Sequence, residues 1–313
     1  MLVNHVQARF KRFIKRLHAP ERQPFPGGMP KREWSIGIYI GESPAHFGPC
    51  PGIKNPVLSR KHVSDVLAAG VADPFMLQVN DSWYMFFEVM NWQTFRGEIG
   101  LATSVDGRKW AYRKIVLAEP YHLSYPYVFE WMHDYYMIPE SYQADSIRLY
   151  KASQFPEQWS FVGTLVSGKS FVDPTIFYYD ETWWLFTETS SDFKSDTLRL
   201  YYAHELTGPW HEHPMSPLIE GNMHIARPCG RVLILHDKLV RYAQDCYPYY
   251  GTQVREFEIT KLTTTDYCER EVDESPILQP SGSGWNGSGM HHIDAHLMNN
   301  NRWLACVDGW FFC

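Results

Sequence analysis

Residues 171–189 read FVDPTIFYYDETWWLFTET. Asp173 and Pro174 open an apolar run through Thr175, Ile176, Phe177 and Tyr178. A polar turn follows at Asp180-Glu181-Thr182, and Trp183, Trp184, Leu185 and Phe186 return to Glu188. β-Branched and aromatic residues on both sides of a short polar turn predict a β-hairpin. Its second strand runs antiparallel to the first, so Asp173 and Glu188 fall at the same end.

The same pattern recurs. Residues 71–90 read VADPFMLQVNDSWYMFFEVM and residues 124–141 read SYPYVFEWMHDYYMIPES. Glu88, Glu140 and Glu188 each stand fifteen positions after Asp73, Tyr125 and Asp173. A fourth copy, 226–245, starts at Arg227-Pro228 and ends on Gln244. A fifth, 291–309, carries Asp294, an Asn299-Asn300-Asn301 turn, Trp303 and Asp308. Segments 98–110, 146–159 and 197–210 share a third-strand pattern that ends on tryptophan. Four strands in about 50 residues is the size of a propeller blade, so five starts predict an all-β, five-bladed β-propeller. The last hairpin has no third strand behind it. Residues 33–47 carry that pattern at the other end, with 55–63 as an outer strand, so the N-terminal strands are expected to close the ring and leave few free edges. The expected domains are 31–313 for the propeller and 1–30 for a separate segment and linker.

Composition narrows the function. A formal net charge of −6 argues against nucleic acid as a partner, which normally meets a basic surface. No apolar run reaches the 18 or more residues of a membrane span. The six cysteines form no CxxC pair and no zinc spacing, so they read as reduced, mostly buried thiols, with Cys313 the most exposed. In residues 1–30, Val6, Phe10, Phe13, Ile14 and Leu17 share one helical face ringed by Arg and Lys. That face fits a membrane-surface helix, a targeting segment or a plain surface helix. The default location is the cytoplasm, with peripheral membrane contact through residues 5–18 as the alternative. Oligomeric state is not legible.

All five inner strands begin at one face of a propeller. Asp73, Tyr125, Asp173, Arg227 and Asp294 are therefore expected around one axial funnel, with Glu88, Glu140, Glu188, Gln244 and Asp308 one layer further out. Two acids across a substrate bond can divide general-acid and general-base roles. A carboxyl crowded by others can keep its proton at neutral pH. The bland alternative for each acid is a turn cap or a bond to a neighbouring amide. In the stretch 290–296, alternation sends His292, Asp294 and His296 to one face and His291 to the other. The first three could hold a divalent ion or a water; hydrogen-bonded histidines are the competing reading, and no other cofactor is expected. Trp92, Tyr142 and Trp285 on rim loops could stack on sugars. The Ser/Gly-rich 281–289 loop reads as a lid.

VADPF and FVDPTIF resemble the blade starts of five-bladed propeller glycosidases of the glycoside hydrolase family 43 and 32 group. ADPF…FFE, HLSYPYVFE…MIPES and YYAHELTGPWHEHP are more similar to the N-terminal propeller of plant glucosamine inositolphosphorylceramide transferases. The family 43 resemblance implies Asp73 as the base and Asp173 as the orienting acid. Its third acid is missing, since Arg227 stands at the next start, so Glu140 or Glu188 would be the proton donor. The transferase resemblance implies that sugar transfer belongs to a different domain. Two functions follow. One is an enzyme that cleaves or transfers a glycosidic bond, with Glu88, Tyr125, Arg227, Gln244, His292, Asp294 and Asp308 binding substrate. The other is a non-catalytic module that binds a glycan or glycolipid head group. Arg227 is either a counter-ion of Asp173 and Glu188 or a fork for an anionic sugar.

Overall fold

A computed structural model describes residues 32–190, 194–235 and 238–312; the basic segment and Cys313 lie outside them. Five antiparallel sheets succeed one another along the chain, each built inner strand first. Blade one comprises Ala68–Val79, Ser82–Asn91, Arg96–Ser104 and Ala111–Leu117. Blade two comprises Ser124–Trp131, Asp134–Glu140, Ser146–Gln154 and Gln158–Ser167. Blade three comprises Val172–Tyr179, Thr182–Glu188, Leu198–Ala203 and His211–Glu212. In blade four the inner strand is split into Arg227–Pro228 and Leu233–Leu235, followed by Lys238–Asp245, Gln253–Leu262 and Tyr267–Glu271. The split passes through Gly230, where φ is +75° and a side chain would run into the Ile293 carbonyl.

Blade five joins the two ends of the chain. Ile293–Leu297 and Trp303–Phe312 form the hairpin, and Arg32–Ser43 is the third strand, paired with Trp303–Phe312 from Arg32↔Phe312 to Gly41↔Trp303. The ring is closed as expected, but the outer edge differs in detail. His46–Pro49 covers one half of Arg32–Ser43 and Leu58–Ser59 the other, because the chain doubles back within the predicted 33–47 strand. Buried aromatic and aliphatic side chains fill the spaces between blades; one cluster runs from Phe75 and Phe86 through Tyr127 and Met137 to Ile176 and Trp183. Each such side chain contributes about 1.5–3 kcal/mol by leaving water.

Three blade starts share one backbone device. Asp73, Tyr125 and Asp173 have φ of 53°, 46° and 48°. At each the strand register slips, between Ala72 and Phe75, Ser124 and Tyr127, and Val172 and Thr175. These are β-bulges whose first residue is left-handed, a conformation that strains a non-glycine residue and re-aims its side chain. Asp294 has no such bulge; it lies in register opposite Cys306.

Candidate functional site

The bulges turn Asp73 and Asp173 onto the propeller axis, where both are buried. Adjacent blades are stitched there by the acids that close the second strands. The Asp73 main-chain N–H donates to Asp308 Oδ2 at 2.9 Å, and the Asp173 N–H donates to Glu140 Oε2 at 3.0 Å. Asp73 Oδ2 in turn accepts the Tyr125 N–H at 3.3 Å. The second-strand acids are therefore interleaved with the start residues rather than standing in a separate outer layer. Part of their role is the amide-bonding one that any buried donor requires.

Asp173 is fully compensated on one oxygen. Its Oδ2 accepts Arg227 Nε at 2.5 Å and Gln244 Nε2 at 2.7 Å, and Glu140 Oε2 lies 3.7 Å from an Arg227 terminal nitrogen. Burial alone would raise the Asp173 pKa, but the guanidinium and these bonds outweigh it and hold the carboxyl below its ordinary value. Arg227 also stacks on Tyr250, 4.8 Å from the ring centre. Its partners are Asp173 and Glu140; Glu188, expected in that role, instead accepts the Ser190 N–H at 2.6 Å and keeps Oε2 without a hydrogen-bond partner.

Asp73 has the opposite surroundings. Burial, then the charges of Asp173 and Asp308, push its carboxyl well above the usual carboxylate range. Its Oδ1 has no hydrogen-bond partner, while His291 Nε2 stands 3.7 Å and His292 Nδ1 4.0 Å away. Glu88 is likewise raised, by burial and by Asp73, and lies 3.4 Å from His122 Nε2. His292 donates its Nε2–H to the Pro74 carbonyl, 3.0 Å away, and burial pushes its pKa down to about 4, so the ring is neutral at pH 7.

The remaining sequence candidates are committed to structure. Tyr125 Oη bonds Thr175 Oγ1 at 2.7 Å and the Gly230 carbonyl at 3.1 Å. Asp294 bonds Arg231 Nε at 2.8 Å, His296 Nε2 at 2.9 Å and the Met76 N–H at 2.7 Å. His292, Asp294 and His296 thus do not converge on an ion. Among the described residues, the group with His, Asp or Glu ligand atoms within 4.8 Å of one another is Asp73, His291 and Asp308. Asp308 spends both oxygens on His291 and the Asp73 amide, which leaves two free donor atoms where a closed metal site uses four or more. The 281–289 loop is no free lid. Asn286 is buried and bonds Tyr39 Oη at 3.0 Å, and Trp285 packs over Gly37, where a Cβ would meet its ring at 2.6 Å. Tyr142 is buried as well, so Trp92, 51% exposed, is the one proposed stacking residue that stays open. Sequence reasoning missed Tyr250 and Arg231 and set His291 apart from the site it joins. The five described cysteines are free thiols, and Cys268 is the exposed one.

The five-bladed propeller fold recurs among solved structures of carbohydrate-active enzymes. The chain shares this fold with β-1,2-mannobiose phosphorylase from Listeria innocua (TM-score 0.63, 11% identity, 87% of this chain and 96% of that one). The Cellvibrio cellulosa α-L-arabinanase also has it (TM-score 0.53, 17% identity, 75% and 86% covered). A family model described as glucosamine inositolphosphorylceramide transferase 1, N-terminal, matches residues 30–310, and the chain belongs to that family. It is 35% identical over 308 residues to glucosamine inositolphosphorylceramide transferase 1 of Oryza sativa subsp. japonica, and 33% identical over 296 residues to that of Arabidopsis thaliana. The alignments take in 90% and 88% of this chain but 41% and 39% of those proteins. The chain thus spans about two fifths of the length of these relatives.

Proposed function

We propose that the propeller is a carbohydrate-recognition module whose axial site receives a glycan or glycolipid head group. The observation that carries this reading is the clamp of Arg227 on Asp173 and Glu140. Two-carboxylate glycosidic chemistry needs a working acid and a working base. The clamp engages Glu140 and Asp173 Oδ2 and holds Asp173 ionised, out of the proton-donor role although its Oδ1 has no hydrogen-bond partner, and leaves Asp73 as the carboxyl whose free oxygen stands beside two imidazoles. A protonated Asp73 donates to a sugar hydroxyl and an ionised one accepts from it. The name of the relatives, glucosamine inositolphosphorylceramide transferase, supports glucosamine or an inositol phosphate head group as the ligand class.

A second reading, cleavage of a glycosidic bond, is favoured by the raised Asp73 carboxyl. Its role would be reversed from the family 43 expectation, with Asp73 as proton donor and Glu188, through its unpartnered Oε2, as base. Calorimetry with glucosamine, N-acetylglucosamine, methyl β-D-glucoside and myo-inositol 1-phosphate, beside a turnover screen of p-nitrophenyl glycosides, separates the two. Binding without turnover, lost in D73N or altered by it, is the expected result. Turnover that falls at least about a hundredfold in D73N establishes the second reading instead. No binding and no turnover would sink both.

A further inference from the structure

We propose that Asp308, His291 and Asp73 form one proton-sharing chain, in which His291 is a positioning residue that exchanges a proton with the free Oδ1 of Asp73. The inference rests on the reading that Asp73 faces the ligand, and it assigns a role to a histidine that the sequence reading set on the opposite face.

The geometry is directional. Asp308 Oδ1 lies 2.7 Å from His291 Nδ1 and also accepts the His291 main-chain N–H at 3.3 Å. An ionised carboxylate only accepts, so Nδ1 carries the hydrogen and Nε2 is the atom turned to Asp73. The imidazole cannot swing away. Trp34 lies against its face with ring centres 4.2 Å apart, and the edge of Tyr250 meets it at 5.2 Å. Gly251 backs it so closely that a Cβ there would sit 3.2 Å from His291 Cβ. The Nε2 to Oδ1 gap of 3.7 Å needs a closure of about 0.7 Å to become a hydrogen bond.

The charges around Asp73 favour keeping a proton inside the group. Asp173 and Asp308 press on it with negative charge, while Arg227 opposes them; Glu88 feels the Asp73 charge in turn. His292 is the poorer partner, because its Nδ1 stands farther from Asp73 Oδ1, at 4.0 Å, and burial pushes its pKa down to about 4, so it takes up a proton reluctantly. Cys229, whose thiol donates to the His291 carbonyl at 2.9 Å, keeps its proton because burial raises it. In the exchange the O–H bond of Asp73 breaks as the Nε2–H bond of His291 forms. Asp308 stays ionised beside the imidazolium, and the net charge of the three residues does not change. A ligand hydroxyl then meets a group that turns from donor to acceptor without a proton crossing from solvent.

The test is carbon NMR of the full chain labelled at aspartate Cγ, titrated from pH 4 to 9, with D73N to assign the signal. Groups that share a proton titrate as a pair, so the Asp73 signal is expected to show two inflections. In H291Q it should collapse to one, displaced to higher pH by a factor of about ten or more in proton affinity. D308N keeps the imidazole in place and should also displace the second inflection, which covers the case in which H291Q fails to fold; circular dichroism reports the fold of each. A single inflection in the wild-type chain, or a two-step profile that both variants leave in place, overturns the proposal. The titration uses no ligand. A two-step profile in a chain that binds none of the sugars above would therefore sink the ligand reading and leave the proton-sharing chain standing.

Discussion

The starts of blades one and three are the same piece of backbone with opposite electrostatics. Asp73 and Asp173 share the left-handed bulge, the following proline, and an amide held by a second-strand acid of the preceding blade. They differ in what the blades on either side present. Asp173 faces Arg227 and Gln244, whereas Asp73 faces the Tyr125 amide and two histidines. A repeated fold thus fixes where a carboxyl sits, and the neighbouring blade decides whether it is a counter-ion or a proton carrier.

The most severe way to break this contrast is R227M. It removes the guanidinium and strands two buried carboxylates, for an expected loss of about 3–5 kcal/mol in urea unfolding. A loss below about 1 kcal/mol would show that the clamp is not what holds Asp173. The next step compares the two aspartates by the same substitution. D173N deprives Arg227 of its shortest contact and should cost about 2–4 kcal/mol. D73N replaces the raised carboxyl with a neutral amide and removes its cost at neutral pH, so the variant is expected to be at least as stable as the wild-type chain there. Equal losses would erase the distinction.

The pH dependence sharpens it further. Asp173 is depressed in the folded state, so its contribution is present above the unfolded value of about 3.9 and is lost as pH falls through the folded value. Asp73 is raised, so its contribution is complete below about 3.9 and is lost as pH climbs through the folded value. Urea midpoints between pH 3 and 8 should therefore show D173N flattening the acid limb and D73N flattening the decline toward neutral pH. Identical profiles for the two variants would refute the assignment. The mildest test is Y125F at the second of the three bulges. It deletes the bonds to Thr175 and the Gly230 carbonyl and should cost about 1 kcal/mol.

Much of this molecule was legible before its structure. The fifteen-residue interval from start to closing acid survives because hairpin register is rigid, so the five blades and the closure by the N-terminal strand could be counted directly. The axial positions of Asp73 and Asp173 followed from the same count. The partners could not be read. A left-handed residue turns its amide out of the regular ladder, so Asp308 and Glu140 reach the next blade, a contact that no spacing within one hairpin encodes. His291 was assigned by strand alternation, but the strand Ile293–Leu297 begins after it, and alternation does not govern a residue in the approach to a strand. Arg231 was invisible because the inner strand of blade four breaks around Gly230, where no repeat unit predicted an excursion.

Strand Arg32–Ser43 is the third member of a sheet whose hairpin follows the other four blades in sequence. Asp73 belongs to the first blade, and His291 and Asp308 to the fifth. The three can meet only after the two ends of the chain have found each other, the contact of longest sequence separation in the fold and the slowest class to form. Without that closure Asp73 lacks Asp308, the acceptor of its amide, and His291, the imidazole beside its free oxygen. On the proposed reading, competence to engage a ligand therefore waits on ring closure, so a partly assembled propeller would stay silent instead of binding weakly.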